Sequence, residues 1–305
     1  MKMNMKIDRF NKEQKSYFNI KNCTAVHGGE CFLIMTDSAN ILVDSGYGFC
    51  ADKTLEKIKG FLGEKPLDYL LLTHSHYDHA MGSVQIGLEY PNLKIVASEY
   101  CKTILEKPSA RLAIRKMDVS AAKIYGYRKP CDLTGKLRVD ITVKDGEEFM
   151  LGEYLVKAVS LPGHTKCCMG YYFIEQKMMI SCETIGLYAG FDTVLPGCLV
   201  GYQMTMDSCS KIRSYDMKEM LISHSGMLYG DDIYHFLDTA RESTDECKDF
   251  ILDAWKNGLD VRQTIESYKK KYYTSDIAEF YPEPALVANL SAQIPMFIKE
   301  CGQTN

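Results

Sequence analysis

The sequence lacks the patterns that mark several large classes of protein. Its 305 residues include seven histidines, one tryptophan and no block of lysine or arginine, and the formal net charge is −4. Nucleic-acid-binding proteins usually concentrate positive charge on one face, so nucleic acid is not expected as a partner. No apolar run approaches the ~18 residues of a membrane-spanning helix, so a membrane is not expected as a partner either.

Signs of export and of disulfide bonding are also missing. The stretch MKMNMKIDRFNKEQKSYF is basic and polar and has no apolar core of a secretion signal. The twelve cysteines are scattered and form no Cys-x-x-Cys pair. We therefore expect reduced thiols and a cytoplasmic location.

Short apolar runs alternate with helical periodicity along most of the chain. The first set of predicted strands is NCTAV, CFLIMT, ILV, DYLLLT and LKIVAS, and the second is VDITV, EEFML, YLVKAVS, GYYFI, KMMIS and EMLIS. Apolar residues at helical spacing lie between these runs, for example from Asp52 to Phe61. This order predicts an α/β (α+β) protein with two mixed sheets packed face to face and helices outside.

Three of the seven histidines are concentrated at one place. The stretch LLTHSHYDHAMG contains His74, His76, Asp78 and His79 directly after a predicted strand. The three histidines do not share one side of a regular helix, so we expect a loop in which their side chains converge. Imidazole and carboxylate together suit zinc, iron or manganese, and the stretch therefore predicts a metal site.

Three further candidate ligands follow the ends of other predicted strands. They are His164 in LPGHTK, Glu183 in MISCETIG and His224 in LISHSG. A closed structural zinc site needs only four ligands, whereas five histidines and two carboxylates suffice for two ions with open positions. We predict two divalent metal ions, zinc in the first place and iron or manganese as alternatives.

These motifs together resemble those of the metallo-β-lactamase superfamily. That family has His-x-His-x-Asp-His, then Gly-His-Thr, a bridging Asp, and a final His before Gly. The counterparts here are residues 74–79, residues 163–165, Glu183 and residues 224–226. The resemblance covers residues 22–226 and implies an αββα sandwich with the metals at one edge, between the sheets.

The resemblance also implies which residues bind each ion and which take part in catalysis. His74, His76 and His164 would bind one ion, and Asp78, His79 and His224 the other, with Glu183 between them. The run ILVDSGYG resembles an early family strand that ends in Asp-x-Gly, which places Asp44 behind the ligands. The expected mechanism is hydrolysis by a metal-bridging hydroxide, which Asp78 would orient. Tyr188, five residues after Glu183, is a candidate donor to the developing oxyanion.

Two positions depart from the family pattern. The bridging residue is usually Asp, and here Glu183 takes its place. Asp192 is an alternative, but it lies nine residues later, beyond the end of the predicted strand. Ser225 is inserted where the family usually has His followed directly by Gly.

Within the superfamily, the chain is similar to the quinolone-signal response thioesterase branch. The resemblance rests on THSHYDH, YPNLKIVASE and a helical tail of about seventy residues, and it implies cleavage of a small acyl thioester, ester or lactone. Two alternatives stay open: a phosphodiesterase of the phosphorylcholine-ester type, and a metal-stabilised regulatory or interaction protein with residual hydrolysis. A small-molecule substrate is the expected partner, and a homodimer is an open assembly state.

The last part of the chain is predicted to be helical. We expect a catalytic domain over residues 1–230 and a helical extension, packed on the same domain, over residues 231–305. Because the extension follows His224 closely, we expect it to start near the mouth of the site and to limit what reaches the metals. Its apolar and aromatic residues include Phe236, Leu237, Phe250, Ile251, Trp255, Tyr272, Tyr273, Phe280, Tyr281, Leu286 and Met296.

Overall fold

The computed structural model describes residues 16–190 and 193–302, and within these ranges the strands form two six-stranded sheets and a two-stranded ribbon. The first sheet has the spatial order β1 (Asn19–Asn22), β2 (Phe32–Met35), β3 (Asn40–Val43), β4 (Tyr69–Leu71), β5 (Lys94–Ser98) and β6 (Ile141–Val143). The second has the order β14 (Gly226–Tyr229), β13 (Glu219–Ile222), β10 (Met178–Ile180), β9 (Met169–Phe173), β8 (Tyr154–Ser160) and β7 (Glu148–Leu151). The ribbon pairs β11 (Leu187–Tyr188) with β12 (Val194–Leu195).

Helices connect the strands and form the end of the chain. In chain order they are α1 (Ala51–Leu62), α2 (Tyr77–Ala80), α3 (Ser83–Glu89), α4 (Glu99–Glu106), α5 (Pro108–Ile124), α6 (Tyr202–Arg213), α7 (Asp231–Lys256), α8 (Val261–Tyr272), α9 (Ser275–Phe280) and α10 (Glu283–Cys301). Short 3-10 turns span Thr134–Lys136 and Glu183–Ile185. Among the described residues, no helix is both long and apolar enough to cross a membrane.

The layers follow from the alternation of side chains along each strand. In β3, Ile41 and Val43 face the space between the sheets, whereas Leu42 packs against helices on the outer face of the first sheet. The second sheet does the same, because Met178 and Ile180 point inward and Met179 points outward. The predicted αββα sandwich is thus confirmed.

The connection from His224 to the helical extension differs from the prediction. The strand β14 was not predicted from the sequence. It pairs antiparallel with β13 and returns the chain from the His224 end, so that Gly230 donates its N–H to the carbonyl of Lys218. The extension therefore starts at the opposite end of the sheet from His224, and the expectation that it starts at the mouth of the site is wrong.

The first helix of the extension is part of the sandwich itself. The apolar face of α7 completes the cluster on the outer face of the second sheet. Its members there are Ile233, Phe236, Leu237 and Ala240, each at most 1% exposed.

The last helix contacts the segment between β12 and α6, whose Gly197 carbonyl accepts a hydrogen bond from His164. Gln293, which is buried in α10, donates its Nε2–H to the carbonyl of Pro196 at 2.8 Å. Nearer the end of α10, Glu300 accepts the backbone N–H groups of Tyr202 and Gln203 at the start of α6. These contacts fasten the extension to residues 196–203.

A buried carboxylate joins α5 to the loop after β3. Asp118 is 1% exposed, and its Oδ1 accepts the N–H of Gly48 at 2.9 Å. Its Oδ2 has no hydrogen-bond partner among the described residues. Burial raises the pKa of Asp118 to about 6, although hydrogen bonds from Gly48 and Phe49 oppose the shift.

Asp118→Asn is expected to stabilise the protein at pH 8 by about 1–3 kcal/mol and to have little effect at pH 4. The folded chain holds this proton up to a higher pH than the unfolded chain does. Asp118 therefore costs stability as the pH rises from about 4 to 6. Urea unfolding at both pH values measures the difference. The exposed Asp207→Asn is the control, and an equal effect of Asp118→Asn at both pH values contradicts the assignment.

Candidate metal centre

The predicted ligands meet at one edge of the sandwich because they follow strands that end there. The parallel strands β3, β4 and β5 of the first sheet end beside one another, and His74 comes shortly after β4. In the second sheet, Glu183 follows β10 and His224 follows its parallel neighbour β13. After His76 the chain turns into the single-turn helix α2, where the sequence predicted a loop, and this turn carries Asp78 and His79.

Three imidazoles form the first group. The ligand atoms of His74, His76 and His164 all lie within 4.8 Å of one another. Nε2 of His164 is 3.0 Å from Nδ1 of His76, and the ring of His74 stands edge-on to both others. His74 and His164 are buried and His76 is half-buried.

Two imidazoles and two carboxylates form the second group. Asp78, His79, Glu183 and His224 also present ligand atoms within 4.8 Å of one another. Nε2 of His79 lies 2.7 Å from Oε1 of Glu183 and 3.1 Å from Nε2 of His224. Asp78 Oδ2 is 3.6 Å from Nε2 of His79.

Glu183 lies between the two groups. Its Oε1 contacts His224 at 2.9 Å, and its Oε2 is 3.2 Å from Nε2 of His164 in the first group. The structure thus brings all seven predicted ligands together in the predicted grouping, and their role in binding metal stays a prediction. Asp192, the alternative to Glu183, lies outside the described residues.

Two buried atoms at the centre have no hydrogen-bond partner among the described residues. They are Nε2 of His74 and Oδ1 of Asp78. A buried polar atom without a partner costs free energy, and both of these atoms are donors of lone pairs that a divalent cation accepts. The donor set therefore fits a metal ion in each group.

The two groups differ in protonation. Burial and the neighbouring His164 lower the pKa of His76 to about 3, and burial lowers the pKa of His74 well below its usual value. In the second group burial also opposes the charged form, but the charge of Glu183 and hydrogen bonds to Glu183 and Glu30 raise the pKa of His224 to about 10. His74 and His76 of the first group are thus neutral and can bind a cation, whereas an ion that binds to the second group must displace the proton of His224.

Several imidazoles are fixed from behind through their second nitrogen. Nδ1 of His79 donates to Asp44 Oδ2 at 2.8 Å, and Asp44 also accepts the backbone N–H of Thr73. Nδ1 of His164 donates to the carbonyl of Gly197 at 2.9 Å. Such contacts set the tautomer, so that Nε2 is the free ligand atom. The expected position of Asp44 is confirmed.

Glu30 is a residue of the centre that the sequence analysis missed. It lies in the turn between β1 and β2, is 7% exposed, and accepts the Nδ1–H of His224 at 2.7 Å. It also accepts the Nδ1–H of His27 at 2.5 Å and the N–H of Gly28. Burial raises the pKa of Glu30, but the hydrogen bonds from His224 and His27 outweigh it and lower the pKa to about 2. The carboxylate therefore stays charged and holds His224.

Glu30→Gln is expected to weaken binding of the ion in the second group by about 10- to 100-fold. A neutral amide no longer orients the His224 ring through a charged hydrogen bond, whereas the first group keeps its own supports. A zinc titration in competition with a chromophoric chelator measures the affinity of each of the two ligand groups for zinc. Glu175→Gln, in an exposed turn between strands, is the control. Equal affinities in Glu30→Gln and the parent chain contradict the role.

Tyr188, the predicted oxyanion donor, lies in β11. Its half-buried ring packs against the apolar cluster on the outer face of the second sheet. Nothing in this packing assigns it a part in catalysis, so its role stays a prediction.

Comparison with known families and proteins agrees with the motifs. The family model of the metallo-beta-lactamase superfamily matches residues 25–224. A metallo-beta-lactamase fold-containing protein of Sulfurisphaera tokodaii is 25% identical over 203 residues, which are 65% of this chain and 72% of that protein.

Two further relatives match over shorter stretches. Glyoxylase B2 of Dictyostelium discoideum is 27% identical over 135 residues, or 44% of this chain and 41% of that protein. Hydroxyacylglutathione hydrolase of Brucella ovis is 29% identical over 119 residues, or 39% of this chain and 34% of that protein. The chain thus spans less than half the length of these two relatives.

Solved structures share the fold. A metallo-beta-lactamase family protein of Thermus thermophilus matches with a TM-score of 0.67 at 13% identity, over 94% of this chain and 95% of that chain. An archaeal metallo-beta-lactamase superfamily protein of Sulfolobus tokodaii matches with a TM-score of 0.55 at 20% identity, over 75% and 86% of the two chains. At this identity the likeness concerns the fold alone.

Proposed function

The chain belongs to the metallo-beta-lactamase superfamily, and from that premise we propose that it is a hydrolase with two divalent metal ions that cleaves a small acyl thioester, ester or lactone. The observation that carries the proposal is the pair of ligand groups that share Glu183, with buried lone pairs on His74 and Asp78 left unpaired among the described residues. We propose zinc, which accepts these imidazole and carboxylate donors, as do iron and manganese.

Divalent ions at such a centre lower the pKa of a water molecule and polarise the oxygen of the scissile carbonyl. Residues of the chain would orient the attacking water and the metal ligands. Asp78 would hold the ion of the second group through one carboxylate oxygen, and its other oxygen would accept a hydrogen bond from the attacking water and orient it. Asp44 and Glu30 hold the rings of His79 and His224 in one orientation, so that little reorganisation accompanies the reaction.

Two observations support an acyl substrate. An acylglutathione is a thioester, and one relative is named as a hydrolase of such a compound. The donor set would also hold ions that polarise a carbonyl oxygen while a water-derived nucleophile attacks the carbonyl carbon. We therefore propose a small-molecule substrate. The thioesterase branch and a homodimeric state stay predictions.

A substrate panel tests the proposal. Zinc-loaded and chelator-treated protein are assayed with acyl-coenzyme A and acylglutathione thioesters, an aliphatic lactone and bis-p-nitrophenyl phosphate. The proposal expects turnover of at least one acyl substrate that disappears on metal removal and returns on reloading. Turnover of the phosphodiester alone, or acyl hydrolysis that survives complete metal removal, contradicts it.

A further inference from the structure

The segment between α9 and α10 lies against the β11–β12 ribbon. Tyr281 packs, together with Ile277, on Leu187 and Leu195 of the β11–β12 ribbon, which follows directly on the turn that begins at Glu183. Its backbone carbonyl accepts the hydroxyl of Tyr273 at 2.8 Å. The helical extension, although it starts far from His224, thus returns to the centre at this point.

The phenol of Tyr281 lies near the carboxylates of the centre, close enough for the charges of Glu183 and Asp78 to act on it. Burial raises its pKa well above the usual value, and the charges of Glu183 and Asp78 and the nearby Tyr77 raise it further. The hydroxyl is therefore neutral and keeps its proton. Its oxygen accepts Nδ2–H of Asn289 at 2.5 Å, and no acceptor for the hydroxyl's own proton is placed among the described side chains and carbonyls.

We propose that Tyr281 donates this proton in a hydrogen bond to the substrate oxygen that gains negative charge at the metal centre. The inference rests on the proposed hydrolytic function and names the residue that contacts the substrate from the helical extension. Asn289 is a positioning residue, because its amide occupies the hydroxyl's lone pair and leaves only the O–H to point at the substrate. A buried donor that is held in place in this way stabilises a developing oxyanion without reorganising.

Tyr281→Phe removes only the hydroxyl. We expect kcat to fall by about 10- to 100-fold. This is less than the 10²- to 10³-fold loss of kcat that follows removal of a donor from an oxyanion hole without metal ions, because metal ions would also stabilise the negative charge. KM, zinc content and melting temperature should stay within twofold or a few degrees of the parent. Tyr272→Phe is the matched control, since it removes a hydroxyl from the same extension that is bonded to Glu246 on the surface.

Asn289→Asp provides a second variant in which the tyrosine ring is retained. The carboxylate of this variant accepts the phenol proton and turns the hydroxyl away from the centre. We expect a loss of kcat similar to that of Tyr281→Phe, and no further loss when the two changes are combined, since both act on the same hydrogen bond.

A binding measurement separates this inference from the proposed function. Methylphosphonate, a tetrahedral anion, is titrated calorimetrically into zinc-loaded parent, Tyr281→Phe, Asn289→Asp and Tyr272→Phe proteins. Roughly tenfold weaker binding in the first two variants alone supports the inference, even if no substrate of the panel is turned over. Equal binding in all four overturns it, as does loss of zinc in Tyr281→Phe, which would mean a structural role. A parent that is inactive on the whole panel counts against the proposed function only.

Discussion

Asp78→Asn is expected to lower kcat by about 10²- to 10⁴-fold while the fold is retained. Asp78 lies in the single-turn helix α2 rather than in a buried strand, so its replacement by an isosteric amide disturbs no core packing. The variant would lose the negative charge that complements a cation in the second group and one of the two carboxylate oxygens that could accept a hydrogen bond from the attacking water.

The measurement is steady-state turnover of the best panel substrate, with zinc content determined on the same samples. Asp52→Asn is a matched control, because Asp52 is an exposed aspartate in the first turn of α1. Circular dichroism checks that the fold is kept. Turnover within a factor of three of the parent in a fully zinc-loaded Asp78→Asn protein would show that Asp78 has no catalytic part.

A chain that ends at Tyr229 is expected not to fold. It lacks the side chains of Ile233, Phe236, Leu237 and Ala240, which cover the outer face of the second sheet. At about 1.5–3 kcal/mol for each of the three large side chains, the loss is about 5–9 kcal/mol, comparable with the whole stability of a typical domain.

Solubility and the cooperativity of urea unfolding measure this directly. Point variants avoid the ambiguity of an insoluble product. Phe236→Ala should cost about 3–5 kcal/mol, whereas Phe61→Ala, at a ring that is 42% exposed, should cost less than about 0.5 kcal/mol. If the chain of residues 1–229 is soluble, unfolds cooperatively and binds zinc, then α7 is not required for folding.

The part of the centre that the sequence predicts is the part encoded locally. His74, His76, Asp78 and His79 lie within six positions, and each of the other ligands directly follows an apolar strand. Because neighbouring parallel strands end at one edge of a sheet, ligands that follow different strands are expected to lie close together. The order of short apolar runs and stretches with helical periodicity likewise predicted two sheets with helices outside.

The parts that were missed depend on partners far away in the sequence. Glu30 lies in HGGE, which reads as a turn, and its partner His224 is 194 residues later. The run GMLY after His224 is too short for an alternation of apolar and polar residues to indicate β14. This strand carries the chain back along the sheet before the extension begins. Tyr281 is one aromatic residue among many in the extension, and only the packing of Ile277 and its neighbours on the β11–β12 ribbon brings it to the centre.

The departure at Ser225 also has a local structural setting. His224 has a φ of 62°, in the left-handed region that residues other than glycine rarely adopt. The N–H of Ser225 bonds to the carbonyl of Ile222 and closes the turn between β13 and β14. The inserted serine thus belongs to a tight hairpin, and Glu30 holds the His224 ring in place from the other sheet.

The most direct test of the two-metal centre is a crystal structure of zinc-loaded protein with anomalous data collected at the zinc edge. Two ions per chain are predicted, ~3.5–4 Å apart and with ligands at ~2.0–2.2 Å. His74, His76 and His164 should hold one ion, Asp78, His79 and His224 the other, and Glu183 should lie between them. A single ion per chain at saturating zinc, or a Glu183 carboxylate turned away from both positions, would contradict the account.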